Sequence, residues 1–359
     1  MSSFSTRAGS VEEPVEFNGR AGEWFGIWII NLLLTIVTIG IYSAWAKVRR
    51  EQYFKRNTVI GGRSFDYHAT GWQILKGRLI LIGAYILLNL VLVAFPPLGI
   101  ILLIGLLVAI PWLIVNALKF NARVTSWANV RFDFNGSKMD AFITFMLLPI
   151  GVMLTLYTTL PFLSRRANRF AIGGHSIGNH RFDFSASIGS YYKAFGISVA
   201  WIVIVGGLMI ASVLPALTVI FSDPAALEDP ANIGMMGAFI GVIYGVLFVA
   251  ILPAALIYRA FLRNTIINGV SLEGGHRMFS DISPMKFIWI ALSNAVVIVL
   301  TLGLMLPWAQ IRMTTYLASK TSVLPNGSLD QLHGQVQAEG TAAGDAFGDF
   351  EGIDMGLPV

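Results

Sequence analysis

The sequence predicts an all-α integral membrane protein of about seven transmembrane helices in a single–hairpin–single–hairpin–single plan, with short β-like loop segments at the membrane surface. Three observations predict it. The 359 residues are 55% hydrophobic and only 13% charged, with a mean hydropathy of +0.69. Ordinary globular domains carry roughly 25% charged residues, so lipid must be the solvent for much of this surface. The apolar residues gather into seven runs of about 19–27 residues, and a helix needs about 20 to cross the hydrocarbon core. Finally, the chain returns to its own first run. Shifted by 263 residues, Asn31, Thr38, Gly40, Trp45, Arg49 and Tyr53 fall on Asn294, Thr301, Gly303, Trp308, Arg312 and Tyr316 without a gap. Shifted by 117, a weaker copy aligns Thr38, Arg49 and Phe65-Asp66-Tyr67 with Thr155, Arg166 and Phe182-Asp183-Phe184. Such periodicity is the mark of a repeated architecture.

In chain order, a polar segment 1–23 precedes a membrane domain, 24–324. The polar segment lacks the apolar core of a cleaved signal peptide. The membrane runs are Trp24–Trp45, Gly77–Phe95, Leu98–Leu118, Ala141–Leu163, Phe195–Phe221, Met235–Tyr258 and Met285–Trp308. The second and third are joined by Phe95-Pro96-Pro97-Leu98, which forces a tight hairpin. The fifth and sixth are joined by Ser222–Gly234, which holds Asp223, Glu228 and Asp229 but no Lys or Arg. Trp24, Tyr42, Trp45, Trp112, Trp289 and Trp308 stand at run ends, as an interfacial aromatic belt requires. Between runs a smaller pattern recurs, Thr followed seven residues later by Phe-Asp-aromatic, with Gly or Asn near the middle. Thr58–Tyr67, Thr125–Phe134, His175–Phe184 and Thr265–Gly274 carry it, with a fainter copy from Thr321. This is the pattern of a short β-hairpin, or of loops that share ancestry. From Pro325 to the end the chain turns Gly-rich and acidic, with six Asp or Glu and no Lys or Arg; such a tail, 325–359, is expected to be disordered.

Two topologies compete. If every run crosses, the basic turns split 14 against 11 between the two sides, a weak bias. If the single runs 24–45, 141–163 and 285–308 enter and return, all 25 Lys and Arg lie on the cytoplasmic side. Length favours crossing, because Trp24–Trp45 would span about 33 Å as a helix. The expectation is therefore seven crossings, with one half of the repeat inverted relative to the other as in many transporters.

The sequence offers no catalytic, metal or cofactor constellation, and the expectation is a protein that is not an enzyme. The chain has no cysteine, and all five histidines lie in turns or the tail. His175 and His180 beside Asp183 have poor spacing for a metal site. No Asp or Glu lies inside an apolar run, which counts against an ion-driven pump. The candidate interior polar residues are Asn31, Thr38, Asn294 and Thr301, acting as glue between helices or lining a polar path. The candidate lipid-headgroup residues are Arg49, Arg166 and Arg312, which follow the runs at matched spacing. Membrane lipids, not nucleic acid, are the expected partners.

The stretches Phe17-Asn18-Gly19, Leu34-Thr35-Ile36-Val37-Thr38-Ile39-Gly40-Ile41-Tyr42-Ser43-Ala44-Trp45-Ala46-Lys47-Val48-Arg49 and Arg63-Ser64-Phe65-Asp66-Tyr67 resemble the YjgN-like family of bacterial multi-pass inner-membrane proteins. The resemblance extends to about Val323; the middle copy departs from it, with Tyr157 for the Gly and Phe162 for the Trp. It implies the bacterial cytoplasmic membrane as location and a membrane metallopeptidase as a partner, and carries no substrate. Two functions are expected to compete: a transport-type facilitator or channel for a small or lipid-like solute, and a non-enzymatic scaffold or envelope-homeostasis factor.

Overall fold

Three of the recurrent stretches, Thr58–Tyr67, Thr125–Phe134 and His175–Phe184, fold as β-hairpins; in the fourth, expected at Thr265–Gly274, residues 265–268 end a helix and the hairpin lies later, at Val270–Ser280. The central residues of these turns accept the left-handed backbone that a tight turn demands. Gly61 and Gly62 take φ of +55° and +71°, Ala128 and Asn129 +50° and +67°, and Gly274 and Gly275 +95° and +89°. The computed structural model describes residues 12–222, 233–331, 333–334 and 336–337. The acidic residues of the second hairpin connection and the tail beyond 337 lie outside them.

Ten short strands result: β1 (Glu13–Phe17), β2 (Thr58–Ile60), β3 (Arg63–Tyr67), β4 (Thr125–Trp127), β5 (Val130–Phe134), β6 (His175–Ile177), β7 (His180–Phe184), β8 (Val270–Leu272), β9 (His276–Ser280) and β10 (Thr321–Leu324). Each pairs antiparallel with its neighbours in chain order, and β1 closes the ring by pairing with both β2 and β10. The product is a closed ten-stranded barrel. This overturns the all-α, seven-helix expectation. Every stretch that flanks a single run contributes to one barrel, so both ends of each single run return to the same body.

The single runs are accordingly broken in the middle. The first becomes α1 (Ala21–Val37) and α2 (Ser43–Arg56). The middle one becomes α5 (Lys138–Phe142), a π-helical turn (Ile143–Leu147) and α6 (Leu148–Leu154), answered by α7 (Leu160–Gly173). The last becomes α11 (Pro284–Leu300) and α12 (Leu306–Ala318). Their tips share one construction. Ile39, Leu156 and Leu302 adopt φ of +50°, +48° and +49°, followed by Gly40, Tyr157 and Gly303 at +88°, +65° and +90°. The amides of Gly40, Tyr157 and Gly303 donate back five residues, to the carbonyls of Thr35, Val152 and Ile298, which is the helix-ending Schellman pattern. A threonine completes each tip. Thr38 Oγ1 donates to the Leu34 carbonyl (2.7 Å) and accepts from the Tyr42 amide (2.9 Å); Thr301 does the same with Val297 and Met305. Outside these self-satisfied turns stand highly exposed apolar side chains, Ile39 and Leu302 at 94% and Leu156 at 85%.

The hairpin runs are continuous. They form α3 (Gly71–Ala94) with α4 (Pro96–Arg123), and α8 (Ile188–Ser222) with α9 (Ile233–Gly245), a π-helical turn (Val246–Ile251) and α10 (Leu252–Asn268). These two hairpins supply four helices long and apolar enough to cross a membrane. Thr70 opens α3 with a capping box, its side chain accepting from the Gln73 amide while Gln73 Oε1 accepts from the Thr70 amide. Pro96 opens α4 at a position where its missing N–H costs nothing.

The lumen of the barrel is apolar. Ile60, Trp127, Val130 and Ile177 are buried there, and Phe65, Phe132 and Phe182 stack along it at 6.3 and 6.2 Å. The first part of the tail, expected to be unpacked, closes its turn-side mouth: Leu329 and Val336 are buried in the same cluster. Asp330 pairs with Arg63 at 2.7 Å, and the Asn326 amide donates to His276 Nδ1 at 3.1 Å. Burial, with the nearby His180, pushes the His276 imidazole below its ordinary pKa, which keeps that nitrogen an acceptor.

Candidate functional site

The Phe-Asp-aromatic motif has a division of labour set by the two-residue period of a strand. Phe65, Phe132 and Phe182 pack with the lumen cluster, while the aspartates between them and the final aromatics carry the other contacts. Asp66 accepts from Arg56 Nε at 2.8 Å and Asp133 from Arg123 Nε at 3.0 Å, each arginine ten residues upstream at the end of a helix. Burial alone would raise the Asp66 carboxyl. Hydrogen bonds from Arg56 and the Tyr67 amide outweigh it and hold the group below the usual carboxylate range.

The third hairpin breaks this rule. Ten residues before Asp183 stands Gly173, which has no side chain to offer. A Cβ added there would meet nothing nearer than 3.9 Å. Asp183 forms no ion pair with any described residue, and the missing arginine leaves a cleft of about 710 Å³ between the middle broken run and the barrel. One wall is α7, which brings Arg165, Arg166 and Arg169 to the cleft. Arg166 pairs with Asp140 at 3.1 Å, and Arg165 Nε donates to the Ala186 carbonyl at 2.7 Å, which leaves the terminal amino groups of Arg165 over. Arg169 is exposed and forms no ion pair with a described residue. The opposite wall carries Ser137, which caps α5, and Thr144 in the π-helical turn. Threonines elsewhere in these helices donate to the carbonyl four residues back, as Thr35 does to Asn31. Thr144 is fully buried with its hydroxyl unpartnered. A π-turn is a recurrent feature of functional sites.

Basic residues also mark a common depth. Counted along the chain, Arg78 lies eleven residues from the nearest strand, Lys119 six, Arg165 ten, Lys193 nine, Arg259 eleven and Arg312 nine. At 1.5 Å per helical residue this is about 9–17 Å below the barrel. Counted this way, Arg165 in the cleft lies at the same depth as these other basic residues, together termed the girdle.

The predicted site residues do not assemble into one place. Asn31 and Asn294 are each 6% exposed. Asn294 Nδ2 donates to the Ala309 carbonyl and its Oδ1 accepts from Arg312, which also donates to Ser293 Oγ. Arg312 thus ties α11 to α12 and lies over the Trp308 ring at 5.1 Å. Asn31 Oδ1 is buried without a partner, and Arg49 instead lies over the Tyr42 ring at 5.7 Å. The matched residues therefore hold different stations. Thr38 and Thr301 are tip residues. Arg166 alone of the predicted set lines the cleft. Its companions Arg165, Arg169, Thr144 and Asp183 lie outside that set, although Gly173 in place of Arg56 and Arg123 is a legible signal. His175 Nδ1 engages the Ala171 carbonyl, and no cluster of three metal-ligating side chains occurs among the described residues.

The chain is similar to Inner membrane protein YjgN of Salmonella typhimurium (strain LT2), 29% identical over 363 aligned positions that cover 88% of this chain and 89% of that protein. Inner membrane protein YjgN of Escherichia coli O157:H7 and of strain K12 are 32% identical over 143 residues, 40% of this chain and 36% of each of them. No solved structure matches. A family described as "Bacterial protein of unknown function (DUF898)" matches residues 12–350. The chain accordingly belongs to this family and, with its YjgN relatives, to the bacterial inner membrane.

Proposed function

We propose that the protein is a non-enzymatic facilitator for a lipid-like solute, which it engages from one leaflet, and that the cleft beside α7 holds the solute's polar end. In this reading the four long helices cross the bilayer and the three broken runs are re-entrant. The barrel lies in the cytoplasm, because the described Lys and Arg all lie between the barrel and the girdle. Distances along the chain support this. From Arg78 to Phe95 is 17 residues, about 26 Å of helix, close to a full hydrocarbon core. From Arg49 to Gly40 is only nine, about 14 Å, or roughly one leaflet. Self-satisfied tips with outward Ile39, Leu156 and Leu302 suit an end in hydrocarbon.

The observation that carries the reading is the cleft itself, polar and arginine-walled, beside a broken run whose tip satisfies its own hydrogen bonds; in this reading it lies at headgroup depth. The inverted repeat no longer supports transport, since all copies point the same way from one barrel. The test is lipid translocation in proteoliposomes of the full chain with a fluorescent phospholipid. Activity that falls in the Arg165→Gln/Arg169→Gln variant supports the reading; wild-type protein no faster than empty vesicles overturns it. A scaffold or envelope-homeostasis role is the second reading, favoured by the tail-capped lumen and the Arg312–Asn294 strut, and it predicts that null result.

A further inference from the structure

We infer that the cleft selects a zwitterionic headgroup that carries both a phosphate and a primary ammonium, as phosphoethanolamine does, over a purely anionic one. This rests on the reading that the cleft holds a polar end, and it names that end. The cleft presents two unspent charges of opposite sign. Arg169 and the terminal amino groups of Arg165 face it from α7, and Asp183 faces it from β7. Arg166 and Asp140, also in the lining, neutralise one another.

At the two equivalent hairpins the aspartate is consumed by an arginine ten residues upstream. Here the chain supplies Gly173 instead, and Asp183 is left within the same cleft as Arg169 without an ion pair between them. A site meant for an anion alone gains nothing from an unpaired carboxylate, which repels phosphate. A site meant for a cation alone gains nothing from Arg165 and Arg169. Both charges are used by one ligand whose phosphate accepts from the guanidiniums and whose ammonium donates to Asp183 Oδ. The buried Thr144 hydroxyl adds a hydrogen-bonding group against the phosphate oxygens, a partner it lacks within the protein. A quaternary ammonium has no N–H to give, and a phosphoglycerol group has no cation.

The chemistry can come from a lipid headgroup or from a soluble phosphoamine, and the experiment separates them. Full-length protein in neutral detergent is offered phosphatidylethanolamine or phosphatidylglycerol, and retained lipid is counted by native mass spectrometry; soluble glycerophosphoethanolamine is then added as competitor. We expect phosphatidylethanolamine to be retained roughly two- to fivefold over phosphatidylglycerol, the worth of one exposed ion pair. Asp183→Asn should abolish that preference while phosphatidylglycerol binding is kept or improved. Displacement by the soluble competitor at matched concentration assigns the site to a free headgroup; resistance assigns it to the lipid, and both outcomes support the inference. Equal retention of the two lipids by the wild type overturns the inference but leaves a headgroup site standing, provided that Arg165→Gln/Arg169→Gln reduces both. Retention unchanged in that double variant removes the site and the inference together. Circular dichroism of each variant, matched to wild type, excludes a folding defect as the cause.

Discussion

Thr38→Val tests the hairpin tips on which the one-sided architecture depends. The two side chains are nearly isosteric, so packing is preserved and only the hydroxyl is lost. Leu34 keeps its carbonyl satisfied, because it also accepts from the Thr38 amide at 3.0 Å. The Tyr42 amide loses the acceptor it holds at 2.9 Å. If the tip lies in hydrocarbon, no water replaces that acceptor, and one stranded N–H costs about 1–3 kcal/mol. At about 2–4 °C per kcal/mol, the apparent Tm should fall by roughly 2–12 °C. Thr38→Ser keeps the hydroxyl and should fall near wild type. The assay is thermal unfolding by intrinsic fluorescence of the purified protein in lipid nanodiscs, with nine tryptophans as reporters. A valine variant as stable as the serine variant would refute a buried, self-satisfied tip and would place residues 38–42 in water.

Tyr157 takes the left-handed station that Gly40 and Gly303 hold, with φ +65°. A left-handed non-glycine residue costs about 1–2 kcal/mol, so Tyr157→Gly should raise the Tm by a few degrees, and an unchanged or lower Tm would argue against strain at that tip. Asn294→Leu strips an acceptor from Arg312 and should cost about 1.5–3 kcal/mol in the same melt, while Asn31→Leu removes an unpaired buried oxygen and should cost little; similar losses from both would contradict the difference between the two stations. The tail should loosen on acidification. A His276 pKa below its unfolded value of about 6.5 gives stability that is full above that pH and lost as pH falls through the lower folded value. The protection of the amides at residues 326–331, taken relative to the intrinsic exchange rate at each pH, should therefore fall as the pH drops below about 6.5, and His276→Phe should show low protection at every pH; a wild-type protection that does not change with pH would rule out the imidazole as latch.

Much of the molecule was legible in the sequence, and what was not has physical reasons. The apolar runs, the Pro96 hairpin and the strand-turn pattern at Thr58–Tyr67 all correspond to elements where the local signal was strong. The barrel was hidden because its pairings are non-local: β1 finds β10 across more than three hundred residues, and strands of three to five residues show too little alternation to announce a sheet. The run Trp24–Trp45 read as one helix because its break is built from apolar residues. Ile39 occupies a left-handed position where glycine is the usual choice, so composition gave no warning of the turn. The charge tally, with all basic residues on one side, agrees with the single barrel better than segment length does. At the cleft, Arg166 could be found by its repeat position. Thr144 could not, since its importance comes from a π-turn that leaves its hydroxyl without the carbonyl an α-helix would supply. Gly173 needed the Asp–Arg pairs of the other hairpins before its missing side chain had meaning.

The central claim is that every hairpin between apolar runs lies on one face of the membrane, closed into a single barrel. The chain has no cysteine, so single cysteines can be placed without background removal at four exposed strand positions, Ser64, Arg131, Arg181 and Arg277, and at the helix-hairpin tip, Phe95. An impermeant maleimide is added to intact cells with a permeable outer membrane, and again after the inner membrane is opened. One barrel in the cytoplasm predicts that all four strand positions stay protected until the inner membrane is breached, while Phe95→Cys is labelled at once. Seven crossings would split them, with Arg181→Cys and Arg277→Cys opposite to Ser64→Cys and Arg131→Cys, and that split would contradict the barrel.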